Sequence, residues 1–168
     1  QNIFPSILER LLGSPISLEE KVIGISENIL IFSLDNTWSI KENIGHLIDL
    51  EPLWQGRLID IMNNQMELRP IDLQNTKTDL ANHNDTSLQE LLSEFRKLRM
   101  RTLRMLKKID EETVFKSVLH PRLKTPMRTM DLFLFVVEHD DHHLARISEL
   151  LQMKKITLSF LILFGFIG

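Results

Sequence analysis

Apolar residues recur at helical spacing along most of this chain, and no convincing set of strands interrupts them. Pro5 suits the first turn of a short helix through Leu12, which Gly13, Ser14 and Pro15 then break. Ser17-Leu18-Glu19-Glu20 has the capping-box pattern and predicts a helix to about Ser33, followed by a turn at Asp35-Asn36. Ser39-Ile40-Lys41-Glu42 repeats the pattern and opens a long helix through about Met66, kinked about one turn before Pro52. The polar stretch from Glu67 to Asp85 predicts a long surface crossover. Ser87-Leu88-Gln89-Glu90 then caps a helix to about Ile109. Asp110 to Lys124 reads as irregular, briefly extended around Val114 to Val118. Thr125-Pro126 predicts the cap and first position of a last helix reaching about Met153. Four main helices and one long crossover predict an all-α four-helix bundle, with no internal repeat.

This pattern places a single domain at residues 1–155 and leaves an almost wholly apolar tail at 156–168. The tail is shorter than the ~20 residues needed to span a bilayer, so a docked or interfacial segment is the favoured reading and a membrane anchor the lesser alternative. The amino end lacks the basic start and apolar core of a signal peptide.

Composition narrows the chemistry. The 168 residues are 43% hydrophobic and 26% charged, with a net charge of −3, which suits one globular domain and argues against a phosphate-driven nucleic-acid binder. A basic run at Arg96, Lys97, Arg99, Arg101, Arg104, Lys107 and Lys108 spreads around one helix and reads as a solvated face. The chain has no cysteine and no tyrosine. Disulfides, thiolate ligands and phenolic acids are therefore excluded, and a reducing, cytoplasmic location is expected. Acid-base work falls to His, Asp, Glu, Lys or a water activated by a metal.

Histidines carry the strongest chemical signal. His139 and His143 lie one helical turn apart and so project from one face, as in metal sites built on a single helix. At about 100° per residue, Leu132, Phe135, Val136, His139, His143, Arg146 and Leu150 share that face. On the second main helix Ser39, Glu42, Asn43, His46, Leu50, Leu53 and Arg57 share another. Two apolar stripes interrupted by imidazoles can meet around one ion, giving three ligands and open positions suited to a catalytic metal. His142 is expected toward solvent or behind the ligands, and His83 to be incidental. Glu42 either orients His46, acts as a base, or is occupied by its capping box. Asp140 and Asp141 read as solvated. Arg146 either holds an anionic substrate group or pairs with Glu149 or Glu42. Trp38 reads as a hydrophobic staple and Trp54 as core.

The segments Trp38 to Leu47 and His139 to Ile147 resemble the helix-two and helix-four motifs of the DinB-like superfamily, and His120-Pro121-Arg122-Leu123 resembles a stretch of one branch. The resemblance spans about residues 17–153. It implies an up-down-down-up four-helix bundle, often a homodimer, with a divalent metal, commonly nickel or zinc, on His46, His139 and His143. It also implies thiol-dependent activities among some members, such as bacillithiol and mycothiol S-transferases and a mycothiol-dependent maleylpyruvate isomerase.

The expected function is accordingly a metal-dependent transferase that activates a low-molecular-weight thiol supplied as substrate, with Glu42 and Arg146 as candidate catalytic residues and Arg146 or Arg57 holding the thiol's carboxylates. A metal-dependent hydrolase using Glu42 as base, and a non-enzymatic metal-binding or stress-response module, are the competing readings.

Overall fold

The computed structural model describes residues 2–34 and 37–164, and the side chains of these up to residue 154. The turn expected at Asp35-Asn36 lies outside the described residues. Seven α-helices are described: α1 (Phe4–Val22), α2 (Glu27–Leu30), α3 (Ile40–Met62), α4 (Thr76–Leu80), α5 (Leu88–Leu106), α6 (Glu111–Phe115) and α7 (Thr129–Phe164). A single 3₁₀ turn spans His83–Asp85, and β1 (Ser117–Leu119) pairs antiparallel with β2 (Pro126–Arg128).

The four long helices form the bundle. α1 packs against α5 and α7, and α3 packs against the same two, so the order around the bundle is α1-α5-α3-α7. Side-chain pairs fix the directions. Arg10 meets Glu138 and Lys21 meets Ser148, which makes α1 and α7 parallel. Asn43 meets His143 while Trp54 meets Phe135, which makes α3 and α7 antiparallel. Ile44 shares a cluster with Leu91 and Leu58 shares another with Leu103, so α3 and α5 run together. The result is up-down-down-up. Parallel neighbours cannot be joined by a short turn, which is why the polar segment between α3 and α5 must travel the length of the bundle.

Capping residues set two of these helices as expected. Ser39 Oγ accepts from Glu42 N at 3.1 Å while Glu42 Oε2 accepts from Ser39 N at 2.7 Å, and Ser87 and Glu90 repeat the arrangement. Elsewhere tertiary contacts override local signals. The break expected at Gly13 to Pro15 does not occur, and the capping pattern at Ser17 lies unused inside α1. Pro15 cannot donate to the Leu11 carbonyl, but the Arg99 guanidinium of α5 donates to it at 3.4 Å, so the continuous helix leaves that buried acceptor partnered. Thr125-Pro126 does not start the last helix. Pro126 instead faces Leu119 in the hairpin, whose strands take the backbone the extended way, and α7 begins at Thr129. α7 also continues past Met153 to Phe164, so the backbone of the apolar tail extends that helix. Among the described residues, no helix is long and apolar enough to cross a membrane.

The core is divided in two. Phe4, Leu11, Trp54, Leu58, Leu103, Phe133 and Val136 belong to one cluster, and Leu18, Val22, Ile40, Ile44, Phe95, Leu144 and Ile147 to the other. A polar layer at mid-height separates them. It contains the histidines and a buried ion network.

Candidate metal centre

In that layer Arg99 is only 1% exposed, so the basic run on α5 is not wholly a solvated face. Its Nε donates to Glu51 Oε1 at 2.6 Å, and its two terminal nitrogens donate to both oxygens of Asp140 at 2.5 and 3.1 Å. Asp140 is likewise buried, contrary to its expected solvation. Burial works against the charge on Arg99, but Asp140 and Glu51 outweigh it and hold the guanidinium protonated. Burial pushes the Glu51 carboxyl upward, while Arg99 and a hydrogen bond from Thr102 oppose that shift. These contacts tie α1, α3, α5 and α7 together beside His139.

His46, His139 and His143 converge from α3 and α7. One ring nitrogen from each lies within 4.8 Å of the others. The ring centroids stand 5.2, 4.9 and 4.6 Å apart for the pairs 46–139, 46–143 and 139–143. The Nε2 atoms of His46 and His139 are 3.3 Å apart. Two nitrogens bound at about 2.1 Å to one ion would sit about 3.0 Å apart at a right angle and about 3.4 Å apart in a tetrahedron. The spacing is that of a ligand pair.

Outer contacts orient two of the imidazoles. Asn43 Nδ2 donates to the carbonyls of Trp38 and Ser39, which turns its Oδ1 toward His143 Nδ1 at 2.8 Å. His143 must therefore carry its proton on Nδ1 and keep a lone pair on Nε2. Thr78 Oγ1 donates to Asp49 Oδ2 at 3.1 Å and accepts from His46 Nδ1 at 3.1 Å, which leaves a lone pair on His46 Nε2 as well. Asp49 is also held by His83 Nε2 at 2.8 Å and Lys77 at 3.1 Å. His83 is buried and belongs to this support, so it is not incidental.

Gly45 makes room for it: a Cβ there would lie 2.1 Å from the His83 ring. We expect Gly45→Val to displace His83, loosen Asp49 and Thr78, and weaken metal affinity by about 10- to 100-fold, measured by competition with a chelating dye.

His139 differs. Its Nδ1 is buried with no partner among the described residues. With Nε2 protonated it donates to His46; with Nε2 free to ligate, the proton moves to the unpartnered Nδ1 and the Nε2 lone pair faces His46.

All three imidazoles are held neutral. Burial lowers His46 to about 4, with His139 adding to the shift, and lowers His143 to about 2, with His139 and His46 adding. Burial also lowers His139. Neutral, convergent nitrogen donors with oriented outer nitrogens fit a divalent cation, and no carboxylate joins the cluster among the described residues. The sign of the pH effect follows. An unfolded histidine takes its proton near 6.5, the folded ones below that, so stability of the chelated protein is full above 6.5 and falls below it. Each such imidazole contributes a slope of at most about 1.4 kcal/mol per pH unit between its unfolded and folded values. Urea unfolding of chelated protein from pH 8 to pH 5 measures this.

The other expected site residues stand close by. Trp38 is not a staple: its Nε1 donates to Asp79 at 2.9 Å and its ring centroid lies 4.5 Å from that of His46. Trp54 is core, with its ring centroid 6.0 Å from His139. Glu42 is occupied by its capping box. Arg146 pairs with Glu149 at 2.7 Å and lines a cavity of about 380 Å³ with Trp38, Asn43, His142 and His143. His142 is exposed, its ring centroid 5.3 Å from that of His143. Asn43 lay on the sequence-derived face, whereas Thr78 and His83 carried no periodic signal that would have found them.

The sequence profile described as the DinB superfamily matches residues 24–147, which holds all three histidines. The chain belongs to the DinB superfamily. The fold is similar to that of a solved structure, YfiT from Bacillus subtilis, with a TM-score of 0.80 over 90% of this chain and 87% of that one, at 20% identity. That protein is described as "a probable metal-dependent hydrolase with an unusual four-helix bundle topology". No curated protein matches the chain.

Proposed function

We propose that this DinB-like protein is a metal-dependent transferase that presents a low-molecular-weight thiol as nucleophile to an electrophilic second substrate. The observation that carries this reading is the donor set: three neutral imidazoles, no protein carboxylate among them, and a polar cavity opening beside His143. A divalent cation held there lowers the pKa of a thiol that binds it, so no protein base is required for activation. Nickel and zinc are the cations that we expect to fill it.

The residues divide the remaining work. Asn43 and Thr78 keep the outer nitrogens of His143 and His46 protonated, so both lone pairs stay turned inward. Trp38 walls one side of the cluster against water. Arg146, half-buried on the cavity wall, exchanges Glu149 for a substrate carboxylate.

Cobalt-loaded protein titrated with glutathione tests this reading. A new thiolate band, absent with S-methylglutathione, is expected; unchanged spectra with glutathione, cysteine and cysteinylglycine would overturn it.

A hydrolytic reading is favoured by the description of the YfiT structure. It predicts ester or amide turnover without thiol. Gln can keep both capping hydrogen bonds of Glu42 but cannot act as a base, so Glu42→Gln separates the two roles. On the transferase reading, this variant keeps thiol-dependent turnover within about twofold; ester or amide turnover without thiol that falls about 100-fold or more in the variant would transfer the assignment to hydrolysis.

A further inference from the structure

Arg57 is 2% exposed, and its Nη2 is buried with no partner among the described residues. A buried guanidinium ordinarily has a carboxylate. The nearby candidate, Asp60, is taken: Arg69 binds both of its oxygens, at 2.9 and 2.7 Å, and the Arg69 backbone N–H binds one of them again. Arg57 Nε donates only to the Arg69 carbonyl, at 3.0 Å. The guanidinium therefore keeps its positive charge, with Asp60 acting on it through space and the Trp54 ring centroid 5.6 Å away, and it keeps one buried donor with no acceptor among the described residues.

It lines a cavity of about 490 Å³, a size ordinary for a small-molecule site. The other walls include Ile71, Leu73 and Phe135, which are apolar, and His120 and Arg122, which are not. His120 Nδ1 accepts from the backbone N–H groups of Arg122 and Leu123, so its proton is on Nε2 and it offers a second donor. Burial and the charges of Arg57 and Arg122 keep that imidazole neutral.

The cavity adjoins the metal centre on two sides. Phe135, 47% exposed, has its ring centroid 6.1 Å from that of His139. Pro70 and Ile71 are shared with a smaller cavity of about 140 Å³ that His46 lines.

We propose that this cavity binds an apolar carboxylate, its anionic end on Arg57 and its aryl or alkyl body against Ile71, Leu73 and Phe135. As the electrophilic substrate it would carry a carbon–carbon double bond conjugated with the carboxylate: the thiolate sulfur entering beside His143 bonds to the β-carbon, the π bond breaks, and the thiol's proton goes to the α-carbon, so no group leaves. That role rests on the transferase reading, but the binding site itself does not.

The test is calorimetric titration of the full-length, chelated protein with 3-phenylpropionate and with 3-phenylpropionamide, its neutral counterpart. The acid is expected to bind at least about tenfold more tightly than the amide, and Arg57→Met to remove that preference. Leu73 is 63% exposed, so Leu73→Glu leaves the fold intact while putting a competing carboxylate on the cavity wall. Both ligands lose the apolar contact with Leu73, but the acid is expected to weaken at least about tenfold more than the amide, and this difference decides the matter alone should Arg57→Met fail to fold. No binding by the acid, equal binding of acid and amide, or a Leu73→Glu protein that binds the acid like the parent would overturn the proposal. Zinc content of the Leu73→Glu protein before chelation, and its cobalt–thiol spectrum after cobalt loading, are expected to match the parent. A failed thiol titration beside an intact acid preference would sink the transferase reading and leave the carboxylate site standing.

Discussion

His143→Ala is expected to take the protein from about one equivalent of divalent transition metal per chain to below about a tenth, by elemental mass spectrometry after purification without a histidine tag. The reasoning is geometric. His143 and His139 are set by one rigid helical turn, and Asn43 fixes the His143 tautomer. Removing that ring leaves two imidazoles and a hole, and two ligands do not hold a labile ion against dialysis. The stability effect has the opposite sign: without metal, deleting a buried neutral histidine relieves part of the acid sensitivity described above, because one fewer imidazole can be charged only in the unfolded chain. The variant is thus expected to be folded, metal-poor and less acid-labile than the chelated parent. A folded His143→Ala protein that still carries a full equivalent would remove the imidazole cluster as the site.

The largest loss of stability is expected from Arg99→Met. Glu51 is fully buried and Asp140 is 1% exposed, and both take their main partner from this one guanidinium. Methionine fills much of the space but leaves two carboxylates beside each other in the core. Breaking a buried pair by removing one partner costs about 3–5 kcal/mol, and here two carboxylates are stranded along with the Leu11 carbonyl. The measurement is the urea midpoint at pH 7 and again at pH 5. Unpaired carboxylates regain stability by taking up protons, so the variant is expected to lose less relative to the parent at pH 5. A triple change of Arg99, Glu51 and Asp140 to apolar residues of similar size is expected to recover most of the loss, because the whole charged group goes at once. Asp140 follows His139 in the chain, so Arg99→Met is also expected to lower metal affinity, whereas a network serving stability alone would leave it unchanged.

Much of the bundle was legible because its causes are local. The capping boxes at Ser39 and Ser87 start α3 and α5 wherever the rest of the chain goes, and the imidazole pair at His139 and His143 faces one way because a helix has a fixed pitch. His46 joined them on paper because an apolar stripe with a polar middle has to meet its match. These arguments need only neighbours within a turn or two.

What failed to show was decided by groups far apart in sequence. Pro15 looks like a helix breaker until Arg99, on another helix, donates to the carbonyl that the proline leaves vacant. Pro126 looks like a helix start until Leu119 pairs with it. Arg99 looks solvated among its basic neighbours, since burial of a charge depends on Glu51 and Asp140 arriving from two other helices. Thr78 and His83 sit in an aperiodic crossover and carry no signal, yet they orient His46 through Asp49. The sequence by itself therefore determined the bundle class, the starts of α3 and α5, the polar mid-layer and the three imidazoles that meet there, because periodicity and capping are properties of a short stretch of backbone. Only the tertiary structure decided which charges are buried, which proton each imidazole carries and where an unpaired Arg57 waits, because those depend on desolvation by partners that the chain supplies from a distance.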